Sequence, residues 1–296
     1  MNMSTKVSRV ALCAAAVATV VGMTGCSAHT AKKTAEGAAK VAVQPLAALQ
    51  RATDSTEKYG SADVDMATSV SGSAPTRMAG TYSWGNGLSF DVSMDAKAAG
   101  MTKLVSGQYV NMLLVHGAYY YNVAPQPSGP LKGKHWMKVD ASAVLGEQAS
   151  SAMNSSADPT QGLQSLKYAR NAKEVGKETV LGREATHYHA TLSKDDLGAA
   201  GSALGSKDKK ELLQQFTGAV DAITFDVWVD SHDMPVRMKE DIGAMNVSID
   251  FKKFGPAKSL RAPAASDTAD MTDAVRQQTG QTGQTGQTDP SGQTAG

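Results

Sequence analysis

A two-residue rhythm of apolar and polar side chains, repeated in short runs between residues 61 and 254, limits the fold of this chain more than any other feature. Leu88, Phe90, Val92 and Met94 alternate with Ser89, Asp91 and Ser93. Successive side chains of a strand point to opposite faces, so such a run has one buried face and one wet face. Val64, Met66 and Val70 show the same rhythm, and Thr81, Tyr82 and Trp84 lead into the turn Gly85-Asn86-Gly87. That pattern reads as a hairpin. Lys103 to Val115 and Ala118 to Val123 repeat it across His116-Gly117, with Tyr119 and Tyr121 on one face. His135 to Asp140 reads as a short strand. Ala172 to Val180 and Glu184 to Leu192 form a hairpin around Leu181-Gly182. Ile223 to Val229, Val236 to Asp241 and Met245 to Phe254 form a meander. Its inner face reads Ile223, Phe225, Val227 and Val229, then Met245, Val247, Ile249 and Phe251. About ten short strands joined by tight turns make an antiparallel sheet.

Three stretches break the rhythm. Between residues 43 and 58, Val43, Leu46, Leu49 and Ala52 fall near one helical face, Pro45 suits the first turn, and Gly60 closes the segment. Residues 141 to 171 predict one or two short helices, broken by the polar cluster from Asn154 to Asp158. Lys194 to Gln215 is also mostly helical, with an interruption near Gly201 to Ser206. An antiparallel sheet commonly buries one face, so these helices must cover it. The expected fold is α+β: one strongly curved antiparallel sheet with helices packed on its concave face.

The amino terminus carries a different signal. Lys6 and Arg9 precede an uncharged run from Val10 to Met23, followed by Thr24-Gly25-Cys26. This is the layout of a secretory signal peptide. Small residues ending on a cysteine resemble a bacterial lipobox, with Met23 where leucine is usual. In that type of signal the Cys26 thiol receives a diacylglyceryl group, the chain is cut before Cys26, and the new amine is often acylated. An ordinary signal peptide followed by a chance cysteine is the alternative. The lipobox reading makes residues 1–25 a signal peptide and residues 26–42 a lipidated cysteine with a flexible tether. Two or three acyl chains hold a protein on a membrane where one would not. The chain then sits at the extracytoplasmic face of the cell membrane. The apolar run, roughly 14 residues, is shorter than the ~20 that span a bilayer. The chain has two cysteines; Cys13 leaves with the signal and Cys26 is taken by lipid, so no disulfide forms. Loss of Lys6 and Arg9 takes the formal charge from +1 to −1, which excludes a basic footprint for nucleic acid. Residues 257–296 end in Gln-Thr-Gly repeats with almost nothing to bury, and read as a disordered tail.

Little in the sequence carries catalytic chemistry. His187 and His189 share a strand face, a spacing that can begin a metal site, but no further ligands accompany them. Asp230-Ser231-His232-Asp233 places acid, hydroxyl and imidazole side by side, and reads as a solvated turn before Met234-Pro235. Asp63 and Asp65 point the same way with no second acid pair. There is no nucleophile elbow, no phosphate loop and no His-Glu-x-x-His. The expectation is a non-enzyme with no catalytic residue, no metal and no cofactor. Only 5% of residues are aromatic, while Met66, Met94, Met112 and Met245 fall at inner-face positions. Thioethers adapt to irregular apolar shapes, and they also simply fill cores.

Several stretches together resemble one family. They are Lys177 to Gly182 followed by Ala185-Thr186-His187-Tyr188, Val227-Trp228-Val229-Asp230 with Met234-Pro235-Val236-Arg237, and Trp136 to Asp140 after a Tyr-rich strand. With the lipobox, they are similar to actinobacterial lipoproteins of the LppX/LprG type, within the wider LolA/LolB-like group. The resemblance covers roughly Pro45 to Phe254, which makes residues 43–256 the domain. It implies a half-barrel with helices inside, enclosing an apolar cavity that carries acylated lipid or glycolipid across the envelope. Alternate inner positions would then line the cavity: Phe90, Val92, Met112, Leu114, Phe225, Val227, Val247 and Ile249. The family supplies no catalytic residue, and the sequence identifies no protein partner. The rival reading is an envelope sensor or protein-interaction domain of the same architecture with a filled core.

Overall fold

The computed structural model describes residues 44–71, 73–169, 171–199 and 220–278. The signal segment, Cys26, the tether and the Gln-Thr-Gly repeats lie outside those residues, as does most of the helical stretch expected from Lys194 to Gln215.

The alternating runs form one open, curled sheet of 12 strands. In chain order they are β1 (Ser61–Val70), β2 (Thr76–Ser83), β3 (Ser89–Asp95), β4 (Tyr109–Val115), β5 (Ala118–Asn122) and β6 (Trp136–Asp140). Next come β7 (Asn171–Val180), β8 (Arg183–Ser193), β9 (Ala222–Asp230), β10 (Pro235–Ile242), β11 (Met245–Gly255) and β12 (Thr268–Asp270). Their spatial order is β12-β6-β5-β4-β3-β2-β1-β11-β10-β9-β8-β7. Two meanders therefore meet where β1 pairs with β11. Every neighbouring pair is antiparallel except β12 with β6. One close approach depends on a missing side chain: a Cβ on Gly80 would lie 2.2 Å from the Asp91 carbonyl oxygen across β2 and β3.

Helices cover the inner face. α1 (residues 44–57) buries Leu49 and Ala52 against it, as the spacing predicts. α2 (Ala141–Leu145), α3 (Glu147–Ala157) and α4 (Gln161–Ser165) occupy the middle of the chain. Asp140 caps α2 by accepting from the backbone N–H groups of Ser142 and Ala143. A cap of this kind contributes about 1 kcal/mol. α4 continues into a 3-10 turn, Leu166–Tyr168, and Leu163 and Leu166 enter the same core as Leu49. The Thr53 hydroxyl donates to the Leu163 carbonyl at 2.9 Å, tying α1 to α4. α5 (Lys194–Ala199) follows β8.

Two sequence expectations are corrected. The run from Lys103 to Val115 yields a strand only from Tyr109. Residues 96–108 instead fold back, with Met101 N–H donating to the Ala96 carbonyl at 2.7 Å. Met101 and Leu104 then pack on Val110, so their apolar character serves a loop that covers the sheet and not a strand within it.

The second correction concerns the tail, expected to begin at residue 257. Leu260 packs on the outer-face cluster of Leu113, Val115 and Tyr120. Thr268–Asp270 adds β12 parallel to β6, and α6 (Thr272–Gln278) follows. Ala269 is buried, Lys138 pairs with Asp270 at 2.8 Å, and the Asp140 N–H donates to the Thr272 hydroxyl. An edge strand exposes a row of unpaired backbone groups, and this return segment covers one.

Candidate functional site

The eight inner-face positions expected to line a cavity occupy one face of one sheet and join one apolar cluster. Phe90 pairs with Leu114 and Val92 with Met112 across β3 and β4. Val247 and Ile249 lie on β11, and Phe225 and Val227 on β9, with β10 between them. Seven of the eight are buried, Leu114 and Val227 completely. They pack against Leu49 and Ala52 of α1, Leu163 of α4, and Leu166. The Phe90 ring stands 5.3 Å from that of Tyr82 and 6.0 Å from that of Tyr119. Val247, by contrast, is only half-buried.

On β1, β2, β3, β10 and β11 that difference follows position along the strands, whereas on β8 and β9 Leu192, Ile223 and Phe225 stay buried. The register aligns Ser61, Ser83 and Ser89 at one end, and Val70 with Met245 at the other. α1 and α4 pack on the fully buried part of the inner face, and α4 reaches along it as far as Met238 and Glu240. Towards the second end it opens: Met78, Met94, Ile242, Met245 and Val247 are half-buried, and Val70 is 52% exposed. Met78 lies opposite both Met66 and Met94, so thioethers run across three adjacent strands. Apolar surface that is neither fully packed nor fully wet can accept an apolar guest, and methionine adapts to its shape. The rim of the first end beside α3 is polar. A cleft of about 460 Å³ opens there beside α3, lined in part by His116, Asp140, Glu147 and Asp158. The Tyr119 hydroxyl donates to Asn154 at 3.0 Å, and burial pushes its pKa up to about 12.

One inner-face residue escaped the sequence reading. Glu240 on β10 lies opposite Phe225 on one side and Val247 on the other. The alternation of Val236, Met238 and Glu240 was the signal that could have found it. Its carboxyl tucks against α4 where residue 162 has no side chain; a Cβ there would overlap Glu240 Oε1. Burial pushes its pKa up to about 7.

The groups that looked chemically suggestive in sequence lie elsewhere. His187 and His189 both turn to Asp226 on the outer face, at 2.8 and 3.0 Å. Burial works against the Asp226 carboxylate, but the hydrogen bonds to His189 and His187 hold its pKa below the usual value. The His187 ring stacks on Trp228 at 4.2 Å, and the Trp228 indole donates to Glu178. Asp230 organises its turn by accepting from the His232 and Met234 N–H groups, while Asp233 pairs with Arg51. Asp63 accepts from the Thr81 hydroxyl and Asp65 pairs with Lys252, so the two carboxylates serve separate contacts. These are the bonds of sheet surface and turn.

No family model matches the chain. It is 29% identical over 252 residues to an uncharacterized 31.2 kDa protein of the rplA-rplJ intergenic region of Streptomyces griseus, covering 79% of this chain and 81% of that one. It is 23% identical over 271 residues to a Streptomyces coelicolor protein named "Putative lipoprotein SCO4650", covering 87% of this chain and 86% of that one. Among solved structures it is similar to the Mycobacterium tuberculosis lipoprotein LppX. That match has 17% identity and a TM-score of 0.45, over 73% of this chain and 97% of the other.

Proposed function

We propose that this chain is a lipoprotein, anchored through acylated Cys26 at the extracytoplasmic face of the cell membrane, that binds or carries an acylated lipid or glycolipid. The acyl portion lies on the half-buried end of the inner face, among Met78, Met94, Ile242 and Val247. The observation that carries this reading is the gradient of burial along a single apolar face: close-packed under α1 and α4, half-open at the methionine-lined end. The lipobox-like Val21 to Cys26 and the lipoprotein name of the Streptomyces coelicolor relative support the anchoring. Binding without catalysis fits the outer-face groups, each of which is engaged in a surface contact.

The test is mass spectrometry of organic extracts from the protein purified from its own envelope. A co-purifying acyl lipid near equimolar amount supports the carrier; its absence, with no uptake of added lipid, removes it. A second reading has its own observation. Seven of the eight predicted lining positions are buried in a packed cluster, which favours an interaction or sensor domain with a filled core. That reading predicts no lipid and a protein partner at the envelope.

A further inference from the structure

The sheet places one carboxyl, Glu240, on its inner face among apolar neighbours. Every inner-face residue of β9 and β11 facing Glu240 is apolar, as are Met238 and Ile242, its neighbours on the same face of β10. α4 carries no ionisable residue. The charged side chains next to Glu240 in sequence, Lys239 and Asp241, alternate onto the outer face. Among the described residues, no hydrogen bond or ion pair engages the Glu240 carboxyl. Glu240 is half-buried, and a carboxyl crowded by apolar side chains loses part of its hydration, which a hydrogen bond from a ligand would restore. Gly162 preserves its position, since any side chain there would displace it. Glu240 lies two residues from the end of β10, beside half-buried Val247 and Ile242. It therefore stands at the border between packed interior and half-open end, within reach of a polar group on a lipid whose chain lies among Met78, Met94 and Val247.

We propose that Glu240 is the specificity-determining residue of the inner face: it accepts a hydrogen bond from an uncharged hydroxyl-bearing lipid head and turns away an anionic one. This rests on the lipid-binding reading above. The chemistry is that of one carboxyl. Protonated or ionised, it accepts from a hydroxyl. Once ionised, it repels a second carboxylate through a low-dielectric interior, where like charges interact strongly. Its raised pKa places that change near neutrality. Anionic ligands are accordingly rejected as pH rises through about 7, while neutral hydroxyl lipids are not.

The experiment uses 1-oleoylglycerol and oleate, each displacing a bound fluorescent apolar dye from the purified full-length protein at pH 6 and pH 8. The parent should prefer 1-oleoylglycerol, by about tenfold more at pH 8 than at pH 6. Glu240→Gln keeps the shape and an acceptor but loses the charge; oleate affinity at pH 8 should rise about tenfold, with 1-oleoylglycerol little changed. Glu240→Leu removes the acceptor and should weaken 1-oleoylglycerol while admitting oleate. The pH dependence of the parent keeps the test standing if a variant fails to fold. If the parent binds both lipids with no pH-dependent preference, the role of Glu240 is overturned and lipid binding stands. If the parent binds neither lipid nor dye, the lipid-binding reading falls and this inference falls with it.

Discussion

A tryptophan placed at two inner-face positions separates packed interior from half-open space. Val227 is fully buried on β9, opposite Met238 and Tyr188, within the cluster that includes Leu49 and Leu163. An indole has no room there, and overpacking costs about 1–3 kcal/mol. For a domain of this size each kcal/mol moves the thermal midpoint by about 2–4 °C, so Val227→Trp should lower it by roughly 2–12 °C. Val247 has the same side chain on the same face, but it is half-buried, between Glu240 and Thr68. A tryptophan there extends over Met78 and Ile242 into space a guest would use, and should cost less than about 1 kcal/mol. Its effect falls on binding. Uptake of a fluorescent fatty acid at pH 6, where Glu240 is mostly protonated, should drop several-fold relative to the parent. Paired thermal melts and titrations of lipid-free protein decide the matter. Equal, strong destabilisation by both variants, with no uptake by the parent, would refute the gradient and leave a filled core. A harmless Val227→Trp would refute the packing argument instead.

Three further outcomes are expected. Cys26→Ala should shift the protein from the membrane fraction to the soluble fraction and change its electrophoretic mobility; retention with unchanged mobility would rule out the lipid anchor. Deleting residues 268–296 removes β12 and α6, bares the β6 edge and breaks the Lys138–Asp270 pair, so the midpoint should fall by several degrees, whereas deleting only 279–296 should leave it within about one degree. Glu240 has its pKa raised from the ordinary 4.5 to about 7, so the folded state holds its proton where the unfolded chain has lost it. Stability from this group is complete below pH 4.5 and falls as pH rises to about 7, by roughly 3 kcal/mol at most. In Glu240→Gln that slope should disappear from denaturant melts taken between pH 4.5 and 8.

The sheet was legible because strands with one wet face write their geometry into every second residue. Phe90, Val92, Met112 and Leu114 were assigned to one face by parity alone, and the register of β3 with β4 puts them there together. Parity works only where a segment is in fact a strand. Leu104 and Val105 look like the start of β4, yet they belong to a loop whose apolar residues cover the sheet from above. Contacts between distant segments leave still less trace. Asp270 meets Lys138 across 132 residues, and a three-residue strand with one buried alanine has no periodicity to detect. Glu240 shows the reverse failure. Its parity was plain, but a glutamate invites the assumption of an outward face, and only the enclosing Phe225, Val247 and Gly162 overturn it.

The positions of these features along the strands connect stability with binding. Large fully buried side chains such as Tyr82, Phe225, Phe251 and Leu114 supply the core beneath α1 and α4. Each such side chain contributes roughly 1.5–3 kcal/mol of burial. The methionines carry the same face onward to where burial is incomplete. A uniformly packed inner face would leave nothing for a guest, and a uniformly open one would forfeit the core. Grading one face along its length satisfies both demands without a second domain. On β10 Glu240 stands where the grading changes, between buried Met238 and half-buried Ile242.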